Sequence, residues 1–200
     1  MQRTRRQPRP ITILRKQAGF SLLELVIVII IISALLAIGI NKLMKLQVQA
    51  ERSAMESMIG TLQSAIALTI SEHIARDNIP ELIRYIGSNP MELLATQPVN
   101  YKGKYPEKPK DLETASWWYN TSNRTLYYQV SNREYFSTAG NEKGVSKFKI
   151  LPVYDDINAN GRFDRRDSLK GLRLSPMAEY RWLNEPIAPE SYAGETFPGQ

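Results

Sequence analysis

The sequence predicts an α+β chain. One long N-terminal helix, with a membrane half and an amphipathic half, packs on an antiparallel β-sheet. Three observations carry this: an unbroken apolar segment, Phe20–Ile40, behind a basic leader; apolar residues at helical spacing in the stretch that follows; and a second half rich in aromatic and β-branched residues broken up by turn formers.

The leader accounts for the chain's excess charge. Residues 1–19 hold no acid and six cations: Arg3, Arg5, Arg6, Arg9, Arg15 and Lys16. Of the 26 Lys and Arg in the chain, 20 remain beyond residue 19, against 20 Asp and Glu. The formal +6 is therefore a topology signal and not the mark of a nucleic-acid binder. Positive charge ahead of an apolar span keeps the N-terminus cytoplasmic and sends residues from Asn41 onward across the membrane.

The apolar segment is 21 residues long, and at about 1.5 Å per helical residue it covers roughly 30 Å, enough for a bilayer. An ordinary secretory signal has a shorter apolar core, with its cleavage site behind it. A plain uncleaved anchor fits the length and the charge, but gives no reason for Gly19, Phe20 and Glu24 to occur together. Glu24 is the one charged residue of the segment, and a carboxylate in hydrocarbon calls for a partner.

Ala18-Gly19-Phe20-Ser21-Leu22-Leu23-Glu24 resembles the class III leader of type IV pilins and pseudopilins, over about the first 45 residues. The resemblance implies a pilin-like fold, cleavage by a prepilin peptidase between Gly19 and Phe20, and N-methylation of Phe20. It also implies that Glu24 is an assembly contact, pairing with the N-terminal amine of a neighbouring subunit. The partners implied are other pilin or pseudopilin subunits, met through the N-terminal helix, together with the peptidase and the bacterial inner membrane. The C-terminal domain is then periplasmic, and later part of a pseudopilus or pilus.

Two departures from many pilins stand out. No proline lies between Pro10 and Pro80, and the chain has no cysteine. An exported domain without a disulfide needs another way to hold its C-terminal loops.

Residues 41–78 read as an amphipathic continuation of the helix. Met55, Ile59, Leu62, Ile66, Ile70 and Ile74 share one face, while Glu51, Arg52, Glu56, Gln63 and Glu72 fill others. Gly39 and Gly60 are soft points. Met44, Met55 and Met58 read as core packing, and His73, the only histidine, as a surface or helix-end residue. A globular domain follows over 79–184. It opens with short helices in 78–96 that start at Pro80 and Pro90 beside the cap candidates Asn78 and Asn89.

Residues 97–111 read as a proline-containing loop. There Lys102, Lys104, Lys108 and Lys110 alternate with Tyr101 and Tyr105. Such a pattern can bind single-stranded nucleic acid, but Glu107, Asp111 and Glu113 dilute it and favour a solvated loop. Strands are expected at 116–119 and 125–130, joined as a hairpin by residues 120–124, and at 133–137, 146–154, 169–174 and 180–183. The aromatic stripe reads as the sheet face that covers the helix. Residues 185–200 read as an irregular tail.

One loop carries metal chemistry. Asp156, Asn158, Asn160, Asp164 and Asp167 supply oxygen side chains at positions 1, 3, 5, 9 and 12 of a twelve-residue run, with Gly161 at 6 and the Arg162 carbonyl at 7. Calcium takes six to eight hard oxygens, so calcium is the expected ion. The loop resembles those of the EF-hand and dockerin type, with Asp167 in place of the terminal glutamate. Asn160-Gly161 closing a simple hairpin is the alternative. On the first reading the ion replaces the missing disulfide.

Phosphate-binding, dinucleotide, nucleophile-elbow and metalloprotease motifs are absent from the sequence. The reading is a structural subunit, a pseudopilin or minor pilin of a secretion or pilus machine. The alternative is a pilin-like binding module for DNA uptake, adhesion or substrate recognition; a membrane-anchored enzyme ranks third.

Overall fold

A computed structural model describes residues 20–139 and 142–186. The leader with Gly19, and the tail from residue 187, lie outside the described residues. The chain forms two units, divided between Leu43 and Met44.

Helix α1 runs from Leu22 to Ala75, through both Gly39 and Gly60. Ser33, Thr61, Ser64, Thr69 and Ser71 each donate their hydroxyl to the carbonyl four residues back, so these polar side chains do not break it. It ends without proline. Asp77 adopts φ +52°, the Asn78 N–H reaches the His73 carbonyl at 2.9 Å, and the Asp77 N–H reaches the Ile74 carbonyl at 3.0 Å. That pair of bonds is a Schellman turn, with aspartate where glycine is usual. Two short 3-10 helices follow, Ile79–Tyr85 and Pro90–Leu93, each with proline in its first turn. Asn89 caps the second through Met91 N–H at 3.2 Å, whereas Asn78 makes no side-chain cap.

The strands are β1 (Tyr101–Tyr105), β2 (Ser116–Asn120), β3 (Thr125–Gln129), β4 (Phe136–Thr138), β5 (Val145–Asp155), β6 (Ser168–Pro176) and β7 (Tyr180–Trp182). Five form a sheet in the order β1-β2-β3-β5-β6, and β4 pairs with β7. In the second unit α1 lies on the five-stranded sheet, which is mostly antiparallel. The architecture is α+β, a long N-terminal helix packed on a mixed sheet, as expected of a pilin-like chain.

Several details differ from the sequence reading. Within the expected 97–111 loop, Tyr101–Tyr105 form an edge strand that pairs parallel with β2. Gly103, at φ +107°, absorbs a register shift between Tyr101 and Lys104. In the expected strand 133–137, residues 133–135 form a 3-10 turn and pairing begins only at Phe136.

The buried stripe of α1 is Val48, Glu51, Met55, Leu62, Ile66 and His73. Ile59 and Ile70 pack beside it as expected, but Ile74 is 55% exposed and His73 is 6% exposed. His73 is thus at the helix end but not on the surface. It donates or accepts at Nδ1 to the Thr69 carbonyl at 2.8 Å and meets the Tyr85 ring edge-on at 5.5 Å. Position 73 follows Met55 by about five whole helical turns and so shares its face, whereas position 74 is turned about 100° away; the core position therefore falls on 73 and not on 74. Met55 is in the core and Met58 packs against it, whereas Met44 is exposed.

Opposite the stripe stand Trp117 and Tyr119 of β2, Leu126 and Tyr128 of β3, and Phe148 and Ile150 of β5. The aromatic stripe serves both faces of the sheet. Trp117 pairs across strands with Tyr128 towards α1, and the adjacent pair Trp118–Tyr127 stacks at 4.5 Å in a separate cluster with Val145 and Leu112.

Candidate functional site

The first candidate is the N-terminal segment. Phe20 precedes the helix and is exposed, and every residue from Phe20 to Ile40 is exposed within the chain. Ser21 accepts the first helical hydrogen bond, from Leu25 N–H at 3.1 Å. Glu24 lies in the first turn, where a negative charge meets the positive end of the helix dipole. By length and composition α1 is able to cross a membrane. An apolar surface of this extent is stable only against lipid or protein. Around Gly39 the surface has a notch lined by Ile32, Leu35, Leu36, Ile40 and Leu43, and nothing stands within 4 Å of where a Gly39 Cβ would be.

The second candidate is the 156–167 loop between β5 and β6. Asp156 accepts the N–H groups of Asn160 (3.1 Å) and Gly161 (2.7 Å). Asp164 accepts Arg166 N–H at 2.7 Å and the side-chain amides of Asn158 (2.8 Å) and Asn160 (2.9 Å). Asp167 accepts the N–H groups of Ile157 (3.1 Å) and Asp164 (2.8 Å). The Arg162 N–H goes to Asn160 Oδ1 at 2.7 Å. The loop therefore brings all its oxygen side chains into one network that backbone amides satisfy. These donors, Arg166 N–H first and the Asn158 amide next, hold the Asp164 carboxyl below the usual carboxylate range. Among the described residues no three His, Cys, Asp or Glu side chains are grouped so as to hold a metal ion.

The lysine run is mostly committed to its own chain. Lys102 pairs with Glu113, Lys104 with Glu92 at 2.6 Å, and Lys108 donates to Gln129 Oε1 at 2.7 Å. Tyr101 accepts from the Asn89 amide at 2.8 Å, and burial pushes its hydroxyl up to about 12.

Sequence reasoning placed Glu51 on an outer face, and the structure overturns that. The carboxylate is 9% exposed and accepts four hydrogen bonds: Tyr128 Oη (3.1 Å) and Ser131 N–H (2.6 Å) at Oε1, and Asn132 N–H (3.0 Å) and Nδ2 (2.5 Å) at Oε2. Burial, and then the Glu51 charge and hydrogen bond, push the Tyr128 hydroxyl well above its usual range. The signal was present in the spacing, since position 51 is three after Val48 and four before Met55.

Residues 14–40 match the family model of the prokaryotic N-terminal methylation motif. The chain carries a class III prepilin leader, as type IV pilin-like proteins do. Phe20 and Glu24 of the exposed apolar segment, and Gly19 before them, fall within that match. A leader of this type implies processing by prepilin peptidase and assembly with other pilin subunits. With the long apolar helix it fits a membrane-anchored pilin. No curated protein and no solved structure was found to match the chain.

Proposed function

We propose that this prepilin-type chain is a structural subunit, a pseudopilin or minor pilin. Prepilin peptidase cuts between Gly19 and Phe20, Phe20 is N-methylated, and the mature subunit enters a pseudopilus or type IV pilus through its N-terminal helix. The observation that carries this reading is Glu24, a single carboxylate five residues past the junction in a segment, Phe20–Ile40, that is exposed within the chain and otherwise uncharged. A neighbour's N-terminal amine neutralises it at the cost of no further charge in hydrocarbon. Before assembly the leader's six cations keep the N-terminus cytoplasmic and the domain periplasmic. The role is structural and not catalytic. The test is incorporation: Glu24→Ala and Glu24→Leu variants insert in the membrane at normal levels but are depleted from sheared filaments. Normal incorporation of either variant contradicts the pairing role.

The alternative, a DNA-binding or partner-binding module, has less support, because three of the four lysines at 102–110 spend their charge or donors within the chain.

A second part of the reading concerns the 156–167 loop, which we propose takes calcium. Asp156, Asn158, Asn160, Asp164 and Asp167 with the Arg162 carbonyl make up six oxygen donors, the lower end of what calcium accepts. Asp164 already receives two side-chain amides where a cation would be welcome. Bound calcium would tie the β5–β6 turn together in a chain without disulfides.

A further inference from the structure

The second unit holds a cleft whose residues lie outside both the leader match and the 156–167 loop. Lys45, Val48 and Arg52 of α1 line it together with Tyr135 and Trp182, and its volume is about 260 Å³. Small-molecule pockets run from roughly 300 to 1,000 Å³, so this one takes a single compact group and not a large cofactor. Val48, Tyr135 and Trp182 are buried and give it an apolar wall, whereas Lys45 and Arg52 are exposed cations.

The donors of the cleft are largely unspent. Lys45 has no ion pair among the described residues. Arg52 pairs with Glu56 at 2.8 Å, but both side chains are half exposed, and such a surface pair holds its cation only weakly. Glu51, the other acid on this stretch of α1, is taken up by Tyr128, Ser131 and Asn132. The Trp182 indole N–H is buried and has no hydrogen-bond partner among the described residues, an arrangement that costs free energy until an acceptor reaches it. Two cations, an aromatic wall and an idle N–H suit a phosphate joined to something apolar.

The place of the cleft in the chain names the occupant. Lys42 and Lys45 are the first charged residues after the apolar span, and Lys45 comes five residues after Ile40. Five residues reach at most about 17 Å, so Lys45 stays within that distance of the end of the span however the two units are arranged. With the span in a bilayer, phospholipid headgroups are the anions in reach. Trp and Tyr beside Lys and Arg are also the side chains that settle at that layer.

We propose that this cleft binds the headgroup of an anionic phospholipid. Lys45 and Arg52 meet the phosphate, the rings of Tyr135 and Trp182 cover the glycerol end, and the Trp182 N–H gains an oxygen acceptor. The contact ties the second unit to the membrane surface. The proposal rests on the membrane-anchored reading, but not on cleavage after Gly19 or on entry into a filament.

The test uses the full chain in nanodiscs of phosphatidylcholine, with or without phosphatidylglycerol, and follows the indole N–H resonances of Trp117, Trp118 and Trp182. Phosphatidylglycerol shifts the Trp182 signal and leaves those of Trp117 and Trp118 in place. Lys45→Gln with Arg52→Gln removes most of that shift, whereas Lys110→Gln with Lys149→Gln, an equal loss of charge elsewhere, keeps it. No shift at Trp182, an equal shift at Trp118, or a shift that both variant pairs retain or both lose overturns the proposal. The same Trp182 shift on phosphatidylcholine discs with added inorganic phosphate, or with a glutamate-rich peptide, marks a free-anion or peptide site and overturns the lipid assignment. A chain that fails to enter the discs overturns the membrane-anchored reading and this proposal with it; a chain that enters without response at Trp182 overturns the proposal alone.

Discussion

The Glu51 carboxylate accepts the Ser131 backbone N–H at 2.6 Å, across 80 residues of sequence. With the Asn132 and Tyr128 donors it fastens α1 to the end of β3 and to the turn that leads into β4. Those N–H groups are held by a side chain and not by a neighbouring strand, which is why residues 131–135 turn before pairing resumes at Phe136.

Glu51→Ala strands two backbone donors and the Tyr128 hydroxyl in a part-buried site. The expected loss is about 3 kcal/mol, a fall of roughly 10 °C in Tm for a chain this size. Glu51→Gln keeps the shape and some acceptor capacity, and should lose less. Thermal unfolding of both variants in detergent checks the order. Equal stability of all three proteins would show the network to be energetically neutral.

Tyr128 gives a pH signature. Its folded pKa is raised, so its contribution to stability is complete below the unfolded value of about 10 and is lost as pH rises beyond it. Tyr128→Phe should be less stable than the parent at neutral pH by about 1 kcal/mol, for the lost hydrogen bond. The difference should shrink above pH about 10. A constant difference across that range counts against the buried-hydroxyl account.

The loop of residues 156–167 should respond to calcium. Melting the mature chain with calcium and with chelator should give a higher Tm with the ion, and Asp156→Asn with Asp164→Asn should abolish the difference. Equal melting temperatures in the parent sink the calcium reading. At low pH the depressed Asp164 carboxyl contributes stability that is present above its unfolded value of about 4 and is lost as pH falls through its folded value.

The notch at Gly39 is open because glycine has no side chain, and no packing within the chain depends on it. Gly39→Leu should leave the monomer's melting unchanged or slightly improved, since glycine costs a helix about 1 kcal/mol. If a neighbouring helix packs into the notch, the same change lowers recovery in filaments. Unaltered recovery removes the notch from the assembly surface.

The features visible in the sequence were those written in local periodicity. The apolar span, the helical stripe from Met55 to Ile70, and the Trp-Trp-Tyr and Leu-Tyr-Tyr strands each repeat at the period of their element. What stayed hidden depends on partners distant in sequence. Glu51 looks like a solvent residue until Ser131 and Asn132 are seen beside it, and Tyr101–Tyr105 looks like a loop because its glycine and lysines suit an edge strand that gains its order from β2. His73 took the core place assigned to Ile74 because it shares the face of Met55 after about five whole turns, while its polar ring made it read as a surface or helix-end residue. The methylation motif at residues 14–40 was readable in the sequence because it is linear.

The central claim is that this chain is cut and methylated at the junction before it assembles. Intact and N-terminal peptide mass spectrometry of the protein, purified from membranes that contain a prepilin peptidase, tests it most directly. The account predicts a chain starting at Phe20 with one methyl group on its amine, and a full-length chain when the peptidase is absent. A protein that keeps residues 1–19 in the presence of the active peptidase, or that is cut after residue 40, contradicts it.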